Sequence, residues 1–270
     1  MLAAGAGRRL GIEHPKCLLA FASKTLLCRH LEALSAHDIH EIVIAVGFRS
    51  ELIEEEIRRA ASSALVRTVY NARYERGSVL SLWSVRQVLR EGDDVLLMDA
   101  DVLYRPDLLQ CLIHSQVQNC FLIDRAFEPG DEPVKICVRD GHPVEFRKRI
   151  ANGVAYDFCG ESVGFFRFSG SVAARLAKRA DYYYSAGLHA EPYEEAIRDL
   201  VLETPEAFGF EDVSGVPWIE IDFPEDVCRA EREILPRLVE VNIDSPPRGM
   251  QPRGATKGEN CASPLWKPHR

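Results

Sequence analysis

The sequence has no run of eighteen or more apolar residues, so no segment has the length of a membrane-spanning helix. Only four apolar residues precede Gly5, too few for a secretory signal. No Cys-x-x-Cys pair occurs. The eight cysteines (Cys17, Cys28, Cys111, Cys120, Cys137, Cys159, Cys228 and Cys261) are scattered, mostly in apolar stretches. That pattern reads as buried, reduced thiols in a cytoplasmic protein, not as a disulfide framework or zinc knuckle. Positive charge is also short, with 33 Lys and Arg against 41 Asp and Glu and a net charge of −8. A chain of that sign has no general attraction for nucleic acid or an anionic membrane, so any polyanionic ligand needs a local basic cluster. The eight histidines show no H-x-x-x-H spacing, and no Ser/His/Asp set suggests itself.

Composition is otherwise that of a folded protein, 46 % hydrophobic and 27 % charged over 270 residues. Short apolar runs at 40–46, 65–70, 94–98 and 119–124 have the character of buried strands. Helical spacing covers 24–37, 49–62 and 78–90, and Pro106 suits the first turn of another helix. The alternation predicts an α/β fold with a doubly wound, mostly parallel sheet. Asp140-Gly141 predicts a β-hairpin over 134–150, followed by a long strand at 156–168 and helices near 171–180 and 191–203. The runs 208–213 and 216–221 read as a second hairpin, and a last helix is expected from Pro224 to about Pro236. Beyond residue 242 the chain is rich in Pro, Gly and charge without periodicity, so 243–270 is read as a disordered tail.

Near the start stands Leu2-Ala3-Ala4-Gly5-Ala6-Gly7-Arg8-Arg9-Leu10, followed by Pro15-Lys16. Two glycines let backbone approach a ligand closely, and successive amides in such a turn form an anion nest. Arg8 and Lys16 add the local positive charge. This is not a Walker loop, because no G-x-x-x-x-G-K-[ST] string occurs. It is not a dinucleotide fingerprint either, since the third glycine position holds Leu10. The remaining pattern, L-A-A-G-x-G-x-R-L with P-K, resembles the nucleotidyltransferase family that activates sugar phosphates and small phospho-alcohols (MobA-like and sugar-phosphate nucleotidyltransferases). The resemblance covers residues 1 to about 238. It implies a Rossmann-like domain with an inserted hairpin subdomain, 1–125 holding the nucleotide and 126–238 the acceptor and a metal aspartate. Family members carry more apolar residues before the loop, so the first strand here is expected to be very short or the start misplaced.

Asp99-Ala100-Asp101 follows a strand, at the carboxyl end where doubly wound sheets bind ligands, and one of the two Asp side chains is expected to face the site. Trp218-Ile219-Glu220-Ile221-Asp222 places Trp218, Glu220 and Asp222 on one face by period-two alternation. Without further information Asp222 could equally be a cap for the helix at Pro224. The resemblance implies that Asp101 and Asp222 hold Mg2+, with Asp99 and Glu220 as further candidates. It likewise implies that the loop from Leu2 to Gly7 (Leu2, Ala3, Ala4, Gly5, Ala6, Gly7) wraps the nucleotide, and that Arg8 and Lys16 contact its phosphates.

Asn71-x-x-Tyr74-x-x-Gly77-Ser78-Val79-x-Ser81-Leu82 opens a helix, whose first amides are free donors. This stretch is similar to one in cytidylyltransferases acting on phosphocholine and related phospho-alcohols, and the Q-x-x-P-x-G-T string of sugar-phosphate members is absent. The similarity puts Asn71, Gly77, Ser78 and Asp99 with the nucleotide. It puts Lys148, Glu161, Tyr193, Trp218 and Glu220 with the acceptor, Lys148 reaching the acceptor phosphate from the face opposite Arg147. Glu194 and Glu195 are expected to diverge, at least one as a surface charge. Trp83, Phe158, Tyr193 and Trp218 could form a cage for a quaternary ammonium. The implied activity is transfer of CMP from CTP to a small phospho-alcohol or phosphonate, of the phosphocholine or aminoethylphosphonate type. A sugar-1-phosphate or inositol-phosphate enzyme and an inactive nucleotide-sensing module are the alternatives.

Overall fold

In the computed structural model, which describes residues 1–60, 62, 64–128 and 130–239, the α/β architecture is as anticipated. The 243–270 segment lies outside the described residues. The strands are β1 (Leu2–Ala3), β2 and β3 (Ala20–Phe21 and Lys24–Thr25, a small hairpin), β4 (Glu41–Val46), β5 (Leu65–Tyr70), β6 (Val95–Met98) and β7 (Val102–Tyr104). They continue with β8 (Cys120–Asp124), β9 (Lys135–Arg139), β10 (His142–Arg147), β11 (Phe158–Phe168), β12 (Gly209–Asp212) and β13 (Trp218–Glu220). The helices are α1 (Leu26–Ala36), α2 (Ser50–Ala60), α3 (Val79–Ser84), α4 (Pro106–His114), α5 (Gly170–Ser185), α6 (Tyr193–Glu203) and α7 (Pro224–Arg229). The helical path of α7 continues through Ala230–Ile234 to Leu235–Val239.

Short β1 is the hinge of the sheet. It pairs in parallel with β4, which pairs in parallel with β5, and Leu2 bridges in parallel to Asp99 just past β6. β6 in turn pairs antiparallel with β11, which pairs antiparallel with β8, and β12 joins β8 in parallel. The long strand β11 changes partner midway: residues 158–161 pair with β9 and residues 165–168 with β6. Between them Gly164 adopts φ +78°, a conformation that favours glycine, and its carbonyl accepts the Asp99 amide at 3.1 Å. The sheet opens at this irregularity, beside the end of β6.

Local chemistry accounts for the elements. β4 is a run of Ile and Val buried under helices, and Thr25 caps α1 by accepting the Cys28 amide at 3.0 Å. Asp140 and Gly141 both take positive φ, the conformation a two-residue β9–β10 hairpin turn requires. One apolar cluster joins the sheet to α3, α5 and α6; a second joins it to α1, α2 and α4. Among the described residues no helix is long and apolar enough to cross a membrane.

Three sequence expectations change. The runs 208–213 and 216–221 do not form a hairpin: β12 pairs in parallel with β8, while β13 pairs antiparallel with β7. The predicted helix at 78–90 stops at Ser84 and resumes only as a single turn at Val88–Arg90. The thiols are not all reduced and buried. Cys137 and Cys159 face each other across β9 and β11 and form a disulfide, whereas Cys111 and Cys228 are free and exposed.

The β9–β10 hairpin is tied to α6 by Glu145, 3 % exposed, whose carboxylate accepts both the Arg198 guanidinium and the Phe146 amide. Removing one partner of such a pair strands a buried charge. Arg198→Leu is therefore expected to destabilise the protein by about 3 kcal/mol, read as a fall in the denaturation midpoint. A midpoint unchanged from the parent protein would show that the pair holds nothing together.

Candidate active site

Beyond β1 the chain turns sharply, with Gly7 at φ +57°, into a helical turn at Arg8–Leu10. A second turn, Lys16–Leu18, follows Pro15 and sends the Lys16 side chain back under the loop. A Cβ on Gly7 would lie 2.9 Å from Cγ of Lys16, so glycine is what lets the loop close over that lysine. The loop roofs a cavity of about 350 Å³ lined by Gly5, Gly7, Arg8, Lys16, Asp101 and Asp222, among others. Arg8 reaches across its mouth to Glu75 at 3.2 Å.

Two strands bring the carboxylates together. The chain leaves β6 through Asp99-Ala100-Asp101 and continues into β7, against which β13 pairs. The Ile221 amide donates to the Asp101 carbonyl at 3.0 Å, which sets Asp222 beside Asp101. Ile219 and Ile221 turn into the core, and Glu220 and Asp222 turn to the site. Lys16 Nζ lies 2.9 Å from Asp101 Oδ2 and donates directly to Asp222 Oδ1. Burial works against the Lys16 charge, but Asp101 and Asp222 outweigh it and raise the lysine above its ordinary range. Burial would likewise raise Asp222; the Lys16 charge overcomes it and holds that carboxyl low. Arg9, which sequence reasoning left without a role, adds a contact of 3.3 Å to Asp222. Asp222 does not cap α7, because Asp226 does, accepting the Asp222 and Phe223 amides at 3.0 and 2.8 Å.

Oxygens of Asp101, Glu220 and Asp222 lie within 4.8 Å of one another. Glu220 is pushed well above the usual carboxyl range, first by burial and then by the charges of Asp101 and Asp222. A set of hard oxygen donors already arranged around one ammonium fits a divalent cation of the magnesium type. Asp99 points the other way: it is half-buried, accepts the Tyr193 hydroxyl at 2.6 Å, and is raised by burial of its carboxyl and by the charges of Asp101 and Glu194.

The remaining nucleotide candidates divide. Leu2, Ala3, Gly5, Ala6, Gly7, Arg8 and Lys16 line the loop cavity, as does Tyr74. Ala4 is buried behind it. Asn71 is buried and donates to Ser81 at 3.1 Å, and Gly77 packs against backbone of 189–191. Ser78 does not cap α3; its hydroxyl accepts the Tyr193 amide at 2.9 Å. Asn71, Gly77, Ser78 and Asp99 thus join elements and are not on the cavity wall.

Two further cavities adjoin the carboxylates. One, of about 420 Å³, is lined by Arg9, Arg147, Lys148, Glu194 and Glu195 among others. Lys148 and Arg147 share this cavity, contrary to the expectation of opposite faces, because β10 ends at Arg147 and alternation stops there. Arg147 is held bidentately by Glu195 at 3.1 and 2.6 Å, and Lys148 by Glu132 at 3.1 Å. Glu194 and Glu195 do not diverge: neither is a surface charge, and burial raises Glu194 to about 7. The other cavity, of about 430 Å³, holds Glu161, Trp218, Glu220 and Asp222. Burial, reinforced by Asp124, raises Glu161 to about 7.

The aromatic cage does not assemble. Trp83 stacks on Tyr184 at 3.7 Å and bonds Asp181, Phe158 packs on Phe210 under Arg125, and Tyr193 is buried beneath Asp99. Only Trp218 of the four lines the acidic cavity, its indole N–H donating to Asp124 at 2.9 Å.

Known proteins fit this picture. The chain is 28 % identical over 240 residues to a bifunctional IPC transferase and DIPP synthase of Rubrobacter xylanophilus, covering 87 % of this chain and 51 % of the relative. It is 22 % identical to a CTP:phosphoglutamine cytidylyltransferase of Campylobacter jejuni, over 84 % of this chain and 96 % of the relative. The chain thus spans about half the length of the first and nearly all of the second. A solved CTP:phosphocholine cytidylyltransferase of Streptococcus pneumoniae shares the fold, with TM-score 0.65, 21 % identity, and coverage of 85 % of this chain and 95 % of that one. Residues 1–160 match the MobA-like NTP transferase domain. The chain belongs to that family.

Proposed function

We propose that this chain transfers CMP from CTP to the phosphate or phosphonate oxygen of a small acceptor, of the phosphocholine or aminoethylphosphonate type, and releases pyrophosphate. One observation carries the reading: Asp222, bridged by Lys16 to Asp101, is a wall common to the glycine-loop cavity and the acidic cavity behind it. A group exchanged between two ligands has to pass such a wall. The cytidylyltransferase relatives favour CTP, and a cytoplasmic location goes with that substrate.

The loop amides, Arg8 and Lys16 bind the triphosphate, and Lys148 steadies the acceptor anion. An acceptor oxygen attacks the α-phosphorus as the bond to the pyrophosphate oxygen breaks, and the displaced electron pair leaves on pyrophosphate. The nucleophile is already anionic, so no side chain has to take a proton. Catalysis then consists of bringing two anions into line and neutralising the charge that grows between them. Asp101 and Asp222, with Glu220 beside them, would hold Mg2+, whose positive charge stabilises that developing charge.

Pyrophosphate release with magnesium tests the reading, with CTP, UTP, GTP and ATP crossed against phosphocholine, aminoethylphosphonate, inositol 1-phosphate and glucose 1-phosphate. Release with CTP and an amino-headgroup acceptor is expected. Release with sugar or inositol phosphate alone would reassign the acceptor, and silence across the grid from folded protein would leave an inactive module. Asp101→Asn and Asp222→Asn should each lower kcat by about 10²-fold, the scale of a lost electrostatic group. Near-normal turnover in either variant would remove that residue from the site.

The acceptor-side carboxyls add a prediction about stability. Glu161 and Glu194 ordinarily titrate at 4.5 and are raised to about 7 in the fold. The folded chain therefore holds more protons than the unfolded one between those values, and their stabilising contribution is lost as pH rises through that window. The unfolding free energy of Glu161→Gln/Glu194→Gln protein should accordingly fall less steeply than the parent's between pH 4.5 and 7. Parallel curves from denaturant titrations would contradict the assignment.

A further inference from the structure

Among the described residues one pair of cysteines is joined, Cys137 of β9 to Cys159 of β11, and the fold does not require the bond. The two residues stand directly opposite each other in the antiparallel ladder, their Cα atoms 4.2 Å apart. β9 is held in place without the crosslink. It pairs with β10 on one side and β11 on the other, Ile136, Val138 and Phe146 are fully buried, and Glu145 ties β10 to α6 through Arg198. A 270-residue chain with such a core has no need of a covalent staple. The other described cysteines are free, and burial pushes the thiols of Cys17 and Cys120 up, away from thiolate chemistry. Cys159 is half-buried where Cys137 is fully enclosed, so a reagent meets the bond from the Cys159 side.

The position of the bond in the sheet connects it to the site. Period-two alternation puts Lys135 and Cys137 on one face of β9 and Cys159 and Glu161 on the same face of β11, with Lys135 opposite Glu161. Lys135 Nζ donates to the carbonyls of Gly130, Pro133 and Lys148 at 2.6, 3.3 and 2.7 Å. It thereby fastens the backbone of Lys148 to the loop whose Asp131 and Glu132 line both carboxylate-side cavities. The bond also closes a covalent ring between cysteines 22 residues apart, and Arg147, Lys148 and Arg149 all lie inside it. These are three of the four basic residues that line the cavity beside Lys148, Arg9 being the fourth. The glycine loop, Lys16, Asp101 and Asp222 lie outside the ring. Opening a ring returns conformational freedom to the segment it enclosed.

We propose that Cys137–Cys159 is a redox switch on the acceptor side of the site. Closed, it holds the hairpin bearing Arg147 and Lys148 in place for the acceptor anion. Opened by a dithiol, it loosens that hairpin and weakens capture of the acceptor, while the glycine loop and the carboxylates keep their places. The effect on turnover rests on the nucleotidyl-transfer reading; the opening itself does not. One thiolate of the dithiol attacks the Cys159 sulfur, the bond between the two cysteine sulfurs breaks, and its electron pair stays on Cys137, which takes a proton. The second thiolate of the reductant then attacks the reductant sulfur now joined to Cys159 and releases Cys159, which takes another proton. The reductant leaves as its own disulfide, and the protein has gained two electrons and two protons.

The test compares protein equilibrated in oxidised and in reduced dithiothreitol, with alkylation and mass spectrometry reporting whether Cys137 and Cys159 are paired. With CTP, magnesium and phosphocholine or aminoethylphosphonate, reduction should raise the acceptor KM about 10-fold and leave kcat and the KM for CTP within about twofold, as expected when only the positioning of one reactant is lost. Reoxidation should restore the first value. Cys159→Ser cannot form the bond and should behave as the reduced protein in either buffer; a redox response that persists in it belongs to other thiols and overturns the proposal. Amide hydrogen exchange over residues 135–149 gives a readout independent of turnover, and it should quicken on reduction. Quickened exchange in a protein that releases no pyrophosphate in either state supports the switch and removes the transferase reading. An acceptor KM or an exchange rate equal in the two states overturns the switch while leaving nucleotidyl transfer standing. So does a bond that dithiothreitol does not open in the folded protein, or a pair of thiols that never joins in the oxidised buffer.

Discussion

The Lys16 ammonium between Asp101 and Asp222 is the contact on which the rest of this molecule turns. In a chain of net charge −8, carboxylates from the ends of two strands converge with Glu220 within 4.8 Å. Their mutual repulsion in a partly buried setting would push the strands apart or force protonation. The lysine prevents this for Asp222, which stays low, but not for Glu220, which is pushed up. It also fastens three distant stretches of chain, since its partners lie 85 and 206 residues away. The loop after β1, the exit of β6 and the exit of β13 become one surface through a single side chain.

The sheet supplies the space in which that surface is useful. Because β11 pairs first with β9 and then with β6, the hairpin carrying Arg147 and Lys148 is held at one end of a strand whose other end lies in the central sheet. Gly164 makes the change of partner possible, and its contact with Asp99 anchors the β6 exit at the same point. Cys137–Cys159 and Glu145–Arg198 then stiffen the hairpin from both sides. The hairpin and the exits of β6 and β13 are therefore held on one strand framework, which suits chemistry that depends on alignment.

How much of this was legible depended on distance along the chain. The strands of the first half, the Asp140-Gly141 turn and the alternation at 218–222 are local patterns, and each is found in the fold. The glycine loop with its lysine was legible as a motif, and Arg9 in the same string could have been noticed as a second cation beside Arg8. What failed was pairing across long separations. The turn at 214–215 looks like a hairpin turn, but β12 finds β8 and β13 finds β7, and no local preference reports either choice. The disulfide is a consequence of register between β9 and β11, so spacing could not reveal it. The aromatic cage failed for the same reason: period-two and period-3.6 patterns give a face, not the element that faces it.

The electrostatic layout has a further consequence for how anions are admitted. Five cations that line the glycine-loop cavity and the cavity beside Lys148 already have carboxylate partners: Arg8 with Glu75, Arg9 with Glu132, Lys16 with Asp101 and Asp222, Arg147 with Glu195 and Lys148 with Glu132. An incoming phosphate has to replace those partners, not merely join a bare basic patch. The exposed pairs, such as Arg8–Glu75, exchange readily because surface ion pairs are worth little. The half-buried Lys16 bridge exchanges only when another cation takes the lysine's place, since separating it alone would leave two carboxylates facing each other. Stray anions that engage only the rim gain little, whereas a triphosphate that reaches the rim and the loop amides together recovers the cost of each exchange. On the proposed reading, selectivity for a polyphosphate would follow from an acidic protein keeping these site cations occupied, with discrimination set by how many exchanges one ligand can make at once.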